Sequence, residues 1–112
     1  MANGLLASFG HAVRGIADSL RHQRNLRIHA VATVAILGLG LAVGLPDWKW
    51  VALWLAIGLV WSAELLNTAV ESLSDLVHPA HDERVRRIKD AAAGAVLVAA
   101  LAAAAVGVGV FL

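Results

Sequence analysis

The chain has no cysteine and little charge: Asp, Glu, Lys and Arg make up 15% of its 112 residues. Disulfide scaffolds, thiol catalysis and cysteine-bound zinc are therefore excluded. A soluble domain carries about 25% charged residues, and the formal net charge of +1 argues against a nucleic-acid binder. The sequence also lacks a Walker loop and a kinase glycine loop, so any nucleotide site is built in another way. The first 25 residues have no apolar core of the kind a cleavable signal needs, so the N-terminus is expected to be retained. What is present is apolar: 60% of the residues, with a mean hydropathy of +0.76. The class that remains is an all-α integral membrane protein, read as one domain over 1–112.

Three stretches reach the ~20 apolar residues that a spanning helix needs. No Asp, Glu, Lys or Arg occurs from Ile28 to Pro46 or from Ala91 to Leu112. A shorter uncharged run, Trp50 to Ala63, continues as a helix pattern through polar residues to about Val77. The predicted spans are 27–45, 49–77 and 88–112. Arg14, Arg21, Arg24 and Arg27 precede the first, and Arg84, Arg86, Arg87 and Lys89 lie between the second and third. The loop between the first two spans carries Lys49 alone among basic residues. The positive-inside rule then sets the N-terminus in the cytoplasm and the C-terminus outside, with Trp48, Trp50 and Trp54 in the outer aromatic belt.

Before the first span, Leu5, Phe9, Val13, Ile16 and Leu20 recur at spacings of three or four. This pattern predicts an amphipathic helix over about 5–25, lying in the inner membrane interface. The alternative for this segment is a basic topology signal without chemistry.

The chemistry concentrates at the inner end of the second span. At about 100° per residue, Glu64, Asn67, Glu71 and Asp75 form one polar stripe. With the hydrocarbon starting near Trp50, Glu64 lies about 21 Å along the helix, inside a core ~30 Å thick. An ionised group at the centre of a span costs ~2.5–3.5 kcal/mol, less near its edge, and marks function by default. Carboxylates and amide oxygens suit Mg2+, which takes one or two carboxylates together with substrate phosphates. A carboxylate can also take the proton of an attacking hydroxyl. Lys89 and Asp90 open the third span at a similar depth, where a lysine and free helix N–H groups meet the needs of phosphoryl transfer. The same stripe could instead hold helices together or line an ion or proton path.

Other polar groups carry weaker signals. His29 reads as an interface residue, and His78 with His81 makes a poor zinc site without a third partner. Gly40 with Gly44, and the alanine-rich third span, predict close helix packing. A single chain of three spans hardly shields the stripe from lipid, so a homo-oligomer is expected.

The run Glu64-Leu65-Leu66-Asn67-Thr68-Ala69-Val70-Glu71 resembles the signature of the prokaryotic diacylglycerol kinase family, which includes the undecaprenol kinases. Lys89-Asp90-Ala91-Ala92-Ala93-Gly94-Ala95-Val96-Leu97 is similar to its second block, and Asn25-Leu26-Arg27-Ile28-His29 to its entry into the first span. The resemblance covers the chain from about Phe9 to the C-terminus.

It implies a homotrimer in the bacterial inner membrane that moves the γ-phosphate of ATP, with Mg2+, onto a lipid hydroxyl at sites shared between chains. By position, Glu64 would be the general base, also touching the lipid, and Asn67 would organise the site. Glu71 would bind metal and ATP. His11, Ala80, His81, Asp82, Lys89 and Asp90 would contact the nucleotide. Arg27 and Asn25 would lie near the lipid headgroup. Where many members carry a second metal-binding glutamate the chain has Gln23, placed in the metal and ATP sets, whose amide oxygen can ligate without adding charge. The Asn-x-Arg-Ile-His segment and the Ala-Ala-Gly-Ala block resemble the undecaprenol branch more than the diacylglycerol branch. Outside this family, a non-enzymatic scaffold and an ion-conducting oligomer are the competing classes.

Overall fold

The computed structural model describes residues 4–112, and these form four helices: α1 (Leu5–His22), α2 (Arg24–Val43), α3 (Asp47–Val77) and α4 (Glu83–Phe111). The last three are each long and apolar enough to cross a membrane. Their apolar residues face outward, with Val31, Val34, Leu55 and Leu101 all mostly exposed, as a lipid solvent requires.

α3 is the central helix and packs against both α2 and α4. Its 31 residues give a rod about 46 Å long at ~1.5 Å per residue, longer than the ~30 Å hydrocarbon core. α3 and α4 run antiparallel: Lys49 Nζ, at the start of α3, donates to the Val110 carbonyl near the end of α4 (2.9 Å). At the opposite end Lys89 Nζ of α4 donates to Asp75 Oδ1 of α3 (2.6 Å). α2 is held to α3 by the indole of Trp61, whose Nε1–H donates to Thr33 Oγ1 (2.9 Å). A buried Gly40 lets the Trp50 ring come so near that a Cβ there would lie 2.9 Å from its Cη2.

Three expectations are corrected at element ends. The first helix stops at His22, because Gln23 is extended (φ −114°, ψ 112°) and separates α1 from α2. Arg27 donates to the carbonyls of Leu20 and Arg21 (3.0 and 2.9 Å), satisfying acceptors that a helix end leaves open. α4 starts at Glu83, five residues before the predicted 88, because Asp82 caps it: its carboxylate accepts from the Arg84 backbone N–H (2.8 Å). Gly44 does not serve packing; it ends α2 in the left-handed conformation (φ 77°), which glycine adopts without Cβ strain.

Candidate functional site

The packing face of α3 changes chemistry along its length. Its buried residues are Leu53, Ala56, Val60 and Glu64, at spacings of three and four that keep them on one side. Glu71 and Asp75 continue this register, with Asn67 about 60° to one side of it. One helix face is thus apolar in the outer half and acidic in the inner half, and Glu64 is where it turns.

Glu64 is 4% exposed, and its Oε2 has no hydrogen-bond partner. His29 of α2 faces it, with Nε2 3.7 Å from that oxygen. Sequence reading placed His29 in the interface, whereas the fold turns it toward the buried carboxylate. No local spacing could reveal a pair that tertiary packing alone creates. Asn67 Oδ1 is a second buried acceptor without a partner. Offset from Glu64 around the helix, Asn67 lines a separate, largely apolar groove against Ala92, Ala95 and Ala99 of α4. The predicted stripe is therefore split: Glu64 faces α2 and Asn67 faces α4. Buried polar atoms are nearly always paired in folded proteins, so two orphans within one turn mark a place built to receive something.

Beyond them, a polar cleft of about 440 Å³ opens between the end of α3, residues 78–82 and the start of α4. Glu71, Ala80, His81, Asp82, Lys89 and Asp90, six of the eight residues placed in the nucleotide set, line it. The other two do not. His11 is exposed on α1, bonded to Arg14 (2.8 Å), and Gln23 sits at the α1–α2 break. Arg27 is occupied in capping α1, and Asn25 is exposed.

Charge in the cleft is arranged unevenly. Lys89 pairs with Asp75, and Arg86 bridges Glu83 and Asp90 along α4. Sequence reading had treated Arg86 only as a topology charge. His78 faces Asp82 (3.4 Å). The Asp82 carboxyl is held well below the usual carboxylate range by hydrogen bonds from the Arg84 guanidinium and backbone N–H. Among the described residues, Glu71 has no ion-pair partner at salt-bridge distance. The free N–H groups of α4 lie at its Glu83 start, more than a turn before Lys89, so the lysine and the helix start are two separate positive features.

The donor set fits a hard cation. No three His, Asp or Glu side chains among the described residues form a cage that would hold a metal alone. Mg2+ needs no such cage, since one or two carboxylates suffice when water and phosphate complete its shell. Glu71, exposed on the cleft wall beside Lys89, is such a carboxylate.

Comparison with known proteins gives the family. The family profile described as prokaryotic diacylglycerol kinase matches residues 10–111. An undecaprenol kinase of Bacillus subtilis is 43% identical over 110 residues, covering 98% of this chain and 89% of its own length. A diacylglycerol kinase of Synechocystis sp. is 43% identical over 108 residues, covering 96% of this chain and 62% of its own length.

Proposed function

The chain belongs to the prokaryotic diacylglycerol kinase family and is a membrane lipid kinase, and from that premise we propose that it transfers the γ-phosphate of ATP, with Mg2+, to the hydroxyl of undecaprenol in preference to diacylglycerol. The observation that carries this reading is the vertical order on α3: a buried, unpartnered carboxylate at Glu64 and a polar cleft with Glu71 and Lys89 beyond it. Glu71 lies seven positions after Glu64, about 10 Å along the axis. A lipid hydroxyl arriving from the bilayer and a nucleotide arriving from the cytoplasm would meet in that interval.

In this reading Glu64 accepts the hydroxyl proton as the lipid oxygen bonds to the γ-phosphorus. The bond from that phosphorus to the β–γ bridging oxygen breaks, ADP leaves, and the proton on Glu64 passes to water. Lys89 offsets phosphate charge, and Asn67 presents its open acceptor to the site. Glu71 would hold the metal, which when bound would neutralise charge on the phosphate oxygens. Such a reaction depends mainly on positioning and electrostatics, which fits a site made of helix faces instead of a loop.

The preference for undecaprenol rests on coverage. Identity to the two relatives is equal, but the chain spans 89% of the undecaprenol kinase and 62% of the diacylglycerol kinase. The reading makes the protein one membrane-embedded domain and a homotrimer, in which His11 and Gln23 reach the cleft of a neighbouring chain. α1 lies in the inner interface, because Leu5, Phe9, Val13 and Ile16 leave an apolar face that is exposed among the described residues. The N-terminus is cytoplasmic.

Purified protein incubated with γ-labelled ATP, Mg2+ and either lipid tests this directly. Label appears on undecaprenol faster than on diacylglycerol. Label on neither lipid ends the proposal, and faster labelling of diacylglycerol reverses the acceptor assignment.

A further inference from the structure

A base that works by geometry needs something to hold it, and among the described residues the side chain facing Glu64 from another helix is His29. Its Nε2 lies 3.7 Å from Oε2, about 0.8 Å beyond the usual ~2.9 Å of an N–H···O bond. Bonds of this kind are often long before substrate binds and tighten in the working complex. We propose that His29 is the positioning residue of Glu64: its Nε2–H holds Oε2 and thereby aims Oε1 at the lipid hydroxyl. The proposal rests on the reading of Glu64 as the base.

Three observations converge. Oε2 is buried and lacks any other donor. The backbone around His29 is pinned, because Thr33 Oγ1 donates to the His29 carbonyl (2.7 Å) and accepts from Trp61 Nε1–H (2.9 Å). That bridge ties the α2 turn bearing His29 to the α3 turn just before Glu64. His29 also lines a cavity of about 210 Å³ between α2, α3 and α4, where the other polar side chains are Thr33 and Trp61. Those two are bonded to each other, so Glu64 is the acceptor left within reach of the ring. The arrangement is that of a base oriented by a third group.

Three variants separate the possibilities in a lipid-phosphorylation assay. His29→Leu lowers kcat tenfold to a hundredfold, roughly a share of the ~10²–10⁴ that a positioned base contributes, while KM for ATP and for lipid stays unchanged. His29→Gln, whose amide N–H reaches about where Nε2 sits, restores most of kcat. His29→Asn, equally polar but one methylene shorter, does not, and it carries the test if His29→Leu fails to fold. Wild-type kcat in His29→Leu, equal rates in the Asn and Gln variants, or a loss confined to the lipid KM would each overturn the proposal. Glu64→Gln is the separate arm. If it retains turnover, the base assignment itself fails; if it is inactive while His29→Leu is not, only the role of His29 falls.

Discussion

The two ends of the α3–α4 hairpin are each tied by a lysine, and they differ in almost everything else. At the outer end Lys49 donates a hydrogen bond to the Val110 carbonyl and lies 5.5 Å from the Trp48 ring centroid. Nearby, Trp50 fills the space that Gly40 leaves. At the inner end Lys89 pairs with Asp75, while among the described residues Glu71 has no ion-pair partner and the buried acceptors of Glu64 and Asn67 have no donor. One end is packed to completion, and the other carries unmet polar demand at a depth where such demand is expensive. A membrane protein selected only for stability would finish both ends alike. On the proposed reading, this asymmetry is what a site at the inner end and a register-fixing contact at the outer end would leave.

The sharpest way to break that comparison is to change one charge at each end. Glu64→Gln keeps shape and removes basicity, so phosphorylation of lipid falls by ~10²–10⁴-fold while the protein stays folded. Lys49→Met loses a charge-assisted hydrogen bond, roughly 1 kcal/mol of stability at this partly exposed site, and keeps turnover per folded molecule. Turnover assays with unfolding in mixed micelles read both. A Lys49 variant as inactive as the Glu64 variant would erase the division between ends.

Packing gives the next largest effect. A side chain at Gly40 meets Trp50 Cη2 at 2.9 Å and Leu45 Cδ1 at 3.1 Å, so Gly40→Leu overpacks the outer end at a cost of ~1–3 kcal/mol. Gly38, two residues away, has nothing within 4 Å, and Gly38→Leu leaves stability unchanged or raised. Equal unfolding midpoints for the two variants would show that the outer end is not tightly packed. Midway along the hairpin, Trp61→Phe removes the bond to Thr33. Interhelical hydrogen bonds of this kind average ~0.6 kcal/mol in membranes, so the midpoint shifts only slightly.

How far the sequence revealed this division depends on the range of each interaction. The uncharged runs before Pro46 and after Ala91 showed the spans, because lipid acts on every residue of a helix in the same way. Glu71, Ala80 and Lys89 were readable as neighbours of one cleft because a short loop folds the chain back there, and the family resemblance supplied their grouping. The pairing of His29 with Glu64 was not readable: the two lie on helices whose relative rotation is set by Trp61, Thr33 and Gly40 acting together. The start of α4 was missed for a local reason. The apolar pattern begins near Ile88, but the helix begins where Asp82 supplies a cap.

That cap gives the smallest prediction and tests whether the inner end is organised before any ligand arrives. Asp82 accepts from the Arg84 guanidinium (3.2 and 3.0 Å) and backbone N–H (2.8 Å), which lowers its carboxyl below the ordinary value of 3.8. The unfolded carboxyl binds its proton more readily than the folded one, so stability rises with pH between the two values. The cap is complete above 3.8 and is lost only as pH falls through the lower folded value. The site is open to water, so the energy involved is small and screened by salt. An NMR titration of the Arg84 amide follows it: the shift stays constant down to and below 3.8, then moves. In Asp82→Asn, whose side chain also caps, that transition disappears. In Asp82→Ala the amide is uncapped at every pH. A transition centred on an ordinary carboxylate value would mean that Arg84 does not hold Asp82, and that the loop over 78–82 is not organised by this cap.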